Sequence, residues 1–287
     1  MEASVLTEIF LPLALGIIMM GMGLSLTVGD FQRVVKYPKA VGLGLLNQII
    51  LLPVVAYLLI ILFGLKTELA VGLMILAACP GGATSNLISH LARGDTALSI
   101  TLTAISSLIT VVTIPFIVNF AIVEFMPNGR EQTLDVLSTV LSVIAITLVP
   151  VSIGMIIRSG NKKFAKRMEK PVKVISAVFL ALIILAALLK ERENLAEYFR
   201  LAGPVALALN VIMLAVGFYG SRIVRLIPRQ SGTISIETGI QNGTLGITIA
   251  ATLLENPQMT IPSAIYSLVM FLTAAVVIYI GNRTIRD

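Results

Sequence analysis

Residues 79–86 read Cys-Pro-Gly-Gly-Ala-Thr-Ser-Asn, and residues 237–244 read Glu-Thr-Gly-Ile-Gln-Asn-Gly-Thr. Each octet interrupts a long apolar run, the first at about 68–91 and the second at about 232–253. Pro80 with Gly81 and Gly82, and Gly239 and Gly243 among a carboxylate and two amides, make an unbroken helix unfavourable at both places. Lipid offers no hydrogen-bond partners, so irregular backbone at membrane depth must be buried in protein or line a polar cavity. The two octets therefore predict discontinuous helices whose breaks face something polar.

The rest of the chain is consistent with a membrane setting. Of 287 residues, 57% are apolar and 13% charged, and mean hydropathy is +0.97, whereas a soluble domain carries about 25% charge. This excludes an ordinary soluble enzyme. One cysteine, Cys79, and one histidine, His90, exclude a disulfide framework and a zinc site. The net charge of +6 is read as membrane topology and not as nucleic-acid binding.

Nine apolar runs stand out, at about 8–28, 39–63, 68–91, 96–123, 135–157, 171–189, 201–221, 232–253 and 260–281. No linker between them is long enough for another domain, so residues 1–287 are expected to form a single transmembrane unit. The first run follows Glu2 and Glu8, lacks a basic flank and is too long for a signal-peptide core, which predicts a retained helix. If the nine runs alternate direction, sixteen of the 21 Lys and Arg fall on one side, including Arg33 to Lys39, Arg93, Arg158 to Lys173, Arg222 to Arg229, Arg283 and Arg286. Only Lys66, Arg130, Lys190, Arg192 and Arg200 fall on the other. Positive loops stay in the cytoplasm, so the N-terminus is expected outside and the C-terminus inside, in an integral protein of a bacterial inner membrane.

The interrupted runs are the third and the eighth, so their chains cross the bilayer in opposite directions. That predicts an inverted repeat in which runs one to four match runs six to nine. Transporters with inverted repeats hold substrate and ion near the midplane, where broken helices meet. Of fifteen acidic residues, Glu237 alone lies well inside an apolar run, and no Lys or Arg sits at similar depth to pair with it. Its partner is then a cation, a proton or neutral donors. Ser85 and Asn86 after the first break, with Ser99 and Thr103 one turn apart in the fourth run, supply the neutral oxygens that suit a hard monovalent cation. Gln48 and Gln241, with carbonyls freed by the second break, are candidates for another such site. Half-helices starting after each break aim amide groups at a common point that favours an anion, with Asn242 and Thr84 the candidate contacts. His90, beside Arg93 and Asp95, is read as structural or interfacial, and Met19, Met20 and Met22 as adaptable packing.

At Cys79–Asn86, at Leu91-Ala-Arg-Gly-Asp-Thr-Ala-Leu-Ser99 and at Glu237-Thr-Gly-Ile-Gln-Asn242 the chain closely resembles the bile acid/sodium symporter family over nearly its whole length. The resemblance implies an all-α polytopic membrane fold with a core domain, here 39–123 and 201–281, and a panel domain, here 8–28 and 135–189. The two broken helices would cross in the core behind the substrate cavity. It implies a first sodium ion at Ser85, Asn86, Ser99, Thr103 and Glu237, and a second at Gln48 and Gln241 with backbone oxygens around Glu237, Thr238 and Ile240. No other cofactor is implied. The implied cargo is a bile acid or a similar amphipathic or small organic anion. From Ser263 to Ile280 the last run offers little polarity beyond Tyr266, Ser267 and Thr273, so recognition is expected to rest mainly on shape and Asn242.

The expected function is secondary active import, with sodium and an organic anion carried together by alternating access. A proton-coupled carrier using Glu237 is the nearest variant, separated by whether sodium or pH drives uptake. A channel would conduct without stoichiometric coupling. An intramembrane enzyme needs a catalytic constellation at depth, whereas Asp30, Asp95, Asp135 and Asp287 all fall in loops or at the terminus. A receptor reading is the weakest.

Overall fold

The computed structural model describes residues 10–127, 133–190 and 192–284, less the side chains of Glu169, Lys170, Lys173 and Lys190. Glu2, Glu8, Arg130, Glu191, Arg286 and Asp287, and with them both chain ends used in the orientation count, lie outside these residues.

Every described element of length is helical. In chain order they are α1 (Leu11–Ser25), α2 (Val28–Lys36), α3 (Pro38–Phe63), α4 (Thr67–Ala78), α5 (Ala83–Leu91), α6 (Thr96–Phe125), α7 (Val136–Gly160), α8 (Lys162–Lys190), α9 (Leu195–Ile223), α10 (Pro228–Gly239), α11 (Gly243–Leu253) and α12 (Ile261–Thr284). All nine apolar runs carry helix. Among the described residues five continuous helices are long and apolar enough to cross a membrane: α3, α6, α7, α9 and α12 with its leading 3-10 turn. A sixth is reached if α1 and α2, bent by 65° at their junction, count as one span.

The first run differs from expectation. It ends at Ser25, where the chain turns extended at Leu26, and a short amphipathic helix follows. The Asp30 carboxylate accepts from the Thr27 N–H and hydroxyl, both at 2.7 Å, which closes the start of α2. Thr101 of α6 then donates to the Asp30 carbonyl at 2.9 Å and fastens α2 to α6. Hydropathy alone passes over such a helix, because its charges dilute its apolar face.

Proline shapes two of the long helices. Pro53 and Pro150 lack an N–H, so the carbonyls four residues back have no helical donor. In both cases the preceding turn widens to a π-helix, at Asn47–Leu51 and at Ile144–Leu148. The Leu52 N–H reaches the Asn47 carbonyl, and the Val149 N–H reaches that of Ile144.

Two packing groups follow from small residues. Helices α1, α7 and α8 pack on one another; a Cβ on Gly154 would lie 2.8 Å from the Leu24 nitrogen, so the backbones of α1 and α7 touch where only glycine fits. The other group gathers α3 to α6 and α9 to α12. There Gly217 brings α9 onto the backbone of α10, since a Cβ would lie 2.7 Å from the Ser235 Cα. The buried apolar side chains form one main cluster that includes Met19 and Met22.

Candidate functional site

The broken helices meet at their interruptions. Helix α4 ends at Cys79, which is extended, and helix resumes at Ala83; α10 ends at Gly239, Ile240 is extended, and helix resumes at Gly243. The unwound strands pair as an isolated antiparallel bridge between Gly81 and Gln241, and the Asn242 N–H donates to the Pro80 carbonyl at 3.0 Å. Glycine at 81 is a matter of space: a Cβ there would sit 2.9 Å from the Glu237 Oε2.

Most backbone groups freed by the breaks find specific partners. Gln48 Nε2 donates to the Cys79 carbonyl at 2.8 Å, and Gln241 Nε2 to that of Thr238 at 2.8 Å. The Gly239 carbonyl accepts from Asn210 Nδ2 and from the Tyr266 hydroxyl, each at 2.8 Å. Asn210 and Tyr266, both fully buried, were not among the expected site residues. The signal for Asn210 was present: it is the one amide inside the run 201–221.

On one side of the crossing, Glu237 is 5% exposed and lies within α10. Ser99 donates to its Oε1, and Thr103 donates to its Oε2 at 2.7 Å. Asn86 Oδ1 lies 2.8 Å from the Ser99 Oγ and 3.3 Å from the Thr103 Oγ1. Ser85 Oγ is 3.4 Å from Thr103 Oγ1 and gives its own proton to the Gly82 carbonyl at 2.7 Å. All five residues expected at the first cation position are thus in one cluster.

The proton count of this cluster is informative. Ser99 and Thr103 carry one hydroxyl proton each, yet three oxygens without protons, two on Glu237 and one on Asn86, compete for them. Among the described residues no Lys, Arg or His bonds to any of these atoms. A buried carboxylate among acceptors short of donors is costly unless a proton or another positive species joins it. The donor set, all hard oxygen, fits a cation that prefers oxygen ligands.

On the other side, Gln48 Nε2 lies 2.7 Å from Gln241 Oε1, and Gln241 Nε2 lies 3.3 Å from Gln48 Oε1. Continuous helix would put Gln241 one turn beyond Glu237, but it does not sit there. The chain leaves the helix at Ile240, and Gln241 turns across the bridge towards Gln48. Thr238 spends its hydroxyl on the Ile234 carbonyl at 2.6 Å, which leaves its backbone oxygen and that of Ile240 as its neighbourhood's contribution.

Asn242 Oδ1 caps α11 by accepting the Leu245 N–H at 3.1 Å, and a Cβ on Gly82 would lie 3.7 Å from the Asn242 Cα. Thr84 is half-buried in the first turn of α5, two residues past Gly82. Tyr266, Ser267 and Thr273 do not face a cavity as polar groups: Tyr266 is committed to Gly239, and the other two bond to carbonyls of their own helix. His90 is exposed at the end of α5.

Residues 12–198 match the model of the Sodium Bile acid symporter family. The chain is 32% identical over 258 residues to the uncharacterized sodium-dependent transporter YocS of Bacillus subtilis (strain 168), covering 90% of this chain and 78% of that one. It is 30% identical over 279 residues to the chloroplastic sodium/metabolite cotransporter BASS2, so named as probable, of Oryza sativa subsp. japonica, covering 96% and 65%. It is 31% identical over 247 residues to sodium/bile acid cotransporter 4 of Homo sapiens, covering 82% of this chain and only 54% of the human one. With its membrane-capable helices and the two apposed breaks, the chain is an integral membrane protein that belongs to the sodium bile acid symporter family.

Proposed function

We propose that this protein is a sodium-coupled symporter that imports an organic anion, of the bile acid type or smaller, by alternating access. The donor deficit around Glu237 carries this reading: a sodium ion among Ser85, Asn86, Ser99, Thr103 and the carboxylate would supply the missing positive charge. A second sodium would take Gln48 and Gln241 with backbone oxygens of Glu237, Thr238 and Ile240. Bound together, the two ions would hold the crossing in one arrangement, beside which Asn242 and Thr84 would receive the carboxylate of the substrate. No covalent step is required.

In this reading the chain crosses the bilayer nine times as an inverted repeat, with α4–α5 and α10–α11 each counted as one broken span. The group 39–123 and 201–281 acts as the core, and the group 8–28 and 135–189 as the panel. The closer packing of α1, α7 and α8 on one another than on the other helices supports that division. Sodium entering from outside, where the N-terminus would lie, drives the core past the panel. A proton on Glu237 would relieve the same deficit, which makes proton coupling the second reading.

The test compares purified protein in sodium and in potassium at equal ionic strength, because a ligand stabilises the state it binds. A sodium-specific rise in Tm that disappears in Glu237→Ala is expected, followed by sodium-driven uptake of bile acids or short organic anions in vesicles. Wild type that folds but shows no sodium response over a wide range, with uptake driven by pH, would overturn it in favour of the proton.

A further inference from the structure

Six basic residues lie within six residues in sequence of the start of α3 or the end of α9, and four are engaged. Arg33 pairs with Asp30 at 3.2 Å, Lys36 lies over the Tyr37 ring at 5.6 Å, Arg222 donates to the Leu226 carbonyl at 3.0 Å, and Arg229 donates to that of Arg93 at 3.3 Å. Lys39 and Arg225 are different: among the described residues neither side chain has an ion-pair or hydrogen-bond partner. Both line a cleft of about 480 Å³ whose other walls are Ile223 and Val224. Ile223 is 80% exposed, comparable with Leu62 at 76% and Leu272 at 73% on the membrane-capable helices α3 and α12.

The backbone adds an independent observation. Arg225 has φ of +64°, and the Leu226 and Arg225 N–H groups bond to Ser221 and Arg222 in the pattern that ends a helix with a left-handed residue. Glycine is the usual occupant there, and arginine is held at a conformational cost. That cost brings a cation to the rim of an apolar-walled cleft. The level is interfacial: Tyr219, one turn before Ile223, is 66% exposed, as aromatic residues at a membrane boundary are.

We propose that the Lys39–Arg225 cleft binds the headgroup phosphate of an anionic phospholipid, with acyl chains along Ile223 and Tyr219. Two unpaired cations recognise the phosphate, and the apolar wall distinguishes a lipid from a free anion. The site lies at the start of α3 and the end of α9, helices that pack against the broken pair, so lipid held there travels with them. It rests on the side proposed above to be cytoplasmic, whereas its test needs neither orientation nor sodium.

The test is thermal unfolding of the full chain in neutral detergent with short-chain phosphatidylglycerol, phosphatidylcholine or inorganic phosphate. Phosphatidylglycerol is expected to raise Tm by at least about 2 °C, with no comparable rise from the other two. The pair Lys39→Gln with Arg225→Gln should lose most of that rise. The pair Lys162→Gln with Lys166→Gln, exposed at the start of α8, should keep it. Arg225→Gly separates fold from binding: relief of the left-handed residue should raise Tm without lipid, while the lipid response falls. Equal responses to phosphatidylcholine or to inorganic phosphate would overturn the proposal. So would an undiminished response in the cleft variants, or an equal loss in the α8 pair, which would mark a diffuse surface charge.

Discussion

The two sides of the crossing are built from similar residue types and balanced in opposite ways. Around Gln48 and Gln241 each amide brings both donors and acceptors, and they pair with each other and with the Cys79 and Thr238 carbonyls. Around Glu237, acceptors outnumber protons. The amide side is therefore satisfied by the protein alone, whereas the carboxylate side calls for an added positive charge. A cation at the carboxylate side relieves an existing imbalance; one at the amide side must displace hydrogen bonds already made. The first should bind more tightly, and the second should report the state of the crossing.

The most severe way to break this comparison is to equalise the two sides. Glu237→Gln puts an amide among Ser99, Thr103 and Asn86, adding two donors and removing the charge. Stability in potassium is expected to hold or rise by about 1 kcal/mol. The sodium-dependent increment, about 3 kcal/mol at a hundredfold excess over Kd, should vanish. Calorimetry in the two salts reads both numbers. A variant that loses stability in potassium and keeps its sodium response would refute the donor-deficit argument.

A milder change acts on the other side. Gln48→Leu leaves the Cys79 carbonyl and the Gln241 amide without their partner, a loss of about 1–3 kcal/mol in either salt. The sodium response should persist through the Glu237 cluster, with the Hill coefficient of sodium binding falling towards one. Complete loss of sodium binding would mean that the sides are not separable. Ser99→Ala sharpens the comparison further within the first side. It removes one of two protons and one oxygen ligand, so sodium affinity should fall about tenfold, equivalent to about 1.4 kcal/mol, measured by titration of Tm against sodium.

Much of this arrangement is legible in the chain. Pro80, Gly81 and Gly82 mark the first break within a residue or two, because their effect on a helix is local. Glu237, Ser99 and Thr103 stand out because a polar group in an apolar run needs a partner, and that need is visible without coordinates. The exit of Gln241 from helical register is not visible. It follows from the pairing of Gln241 with Gly81, a contact 160 residues distant in sequence that no local pattern encodes. Helix α2 was missed for a different reason: nine residues with Asp30, Arg33 and Lys36 are averaged away by any window wide enough to find a span. The π-turns were legible only in part, since Pro53 and Pro150 predict a disturbed helix but not whether it kinks or widens.

The smallest expected effect tests whether the partners of the second break belong to its framework or to its ion chemistry. The Gly239 carbonyl has two donors, Asn210 and Tyr266, from two different helices. Tyr266→Phe keeps the ring and removes one donor, so the carbonyl stays satisfied by Asn210 at 2.8 Å. The loss should be about 1 kcal/mol, equal in sodium and potassium, with sodium affinity unchanged. Asn210→Leu alone should act alike, and the two together should cost more than their sum, because only the pair leaves a buried carbonyl with no donor. A double-mutant cycle by denaturation in each salt measures that excess. If the excess is the same in both salts, Asn210 and Tyr266 hold the break open whatever its occupancy. If it appears only in sodium, the Gly239 carbonyl joins those of Glu237, Thr238 and Ile240 in the amide-side site.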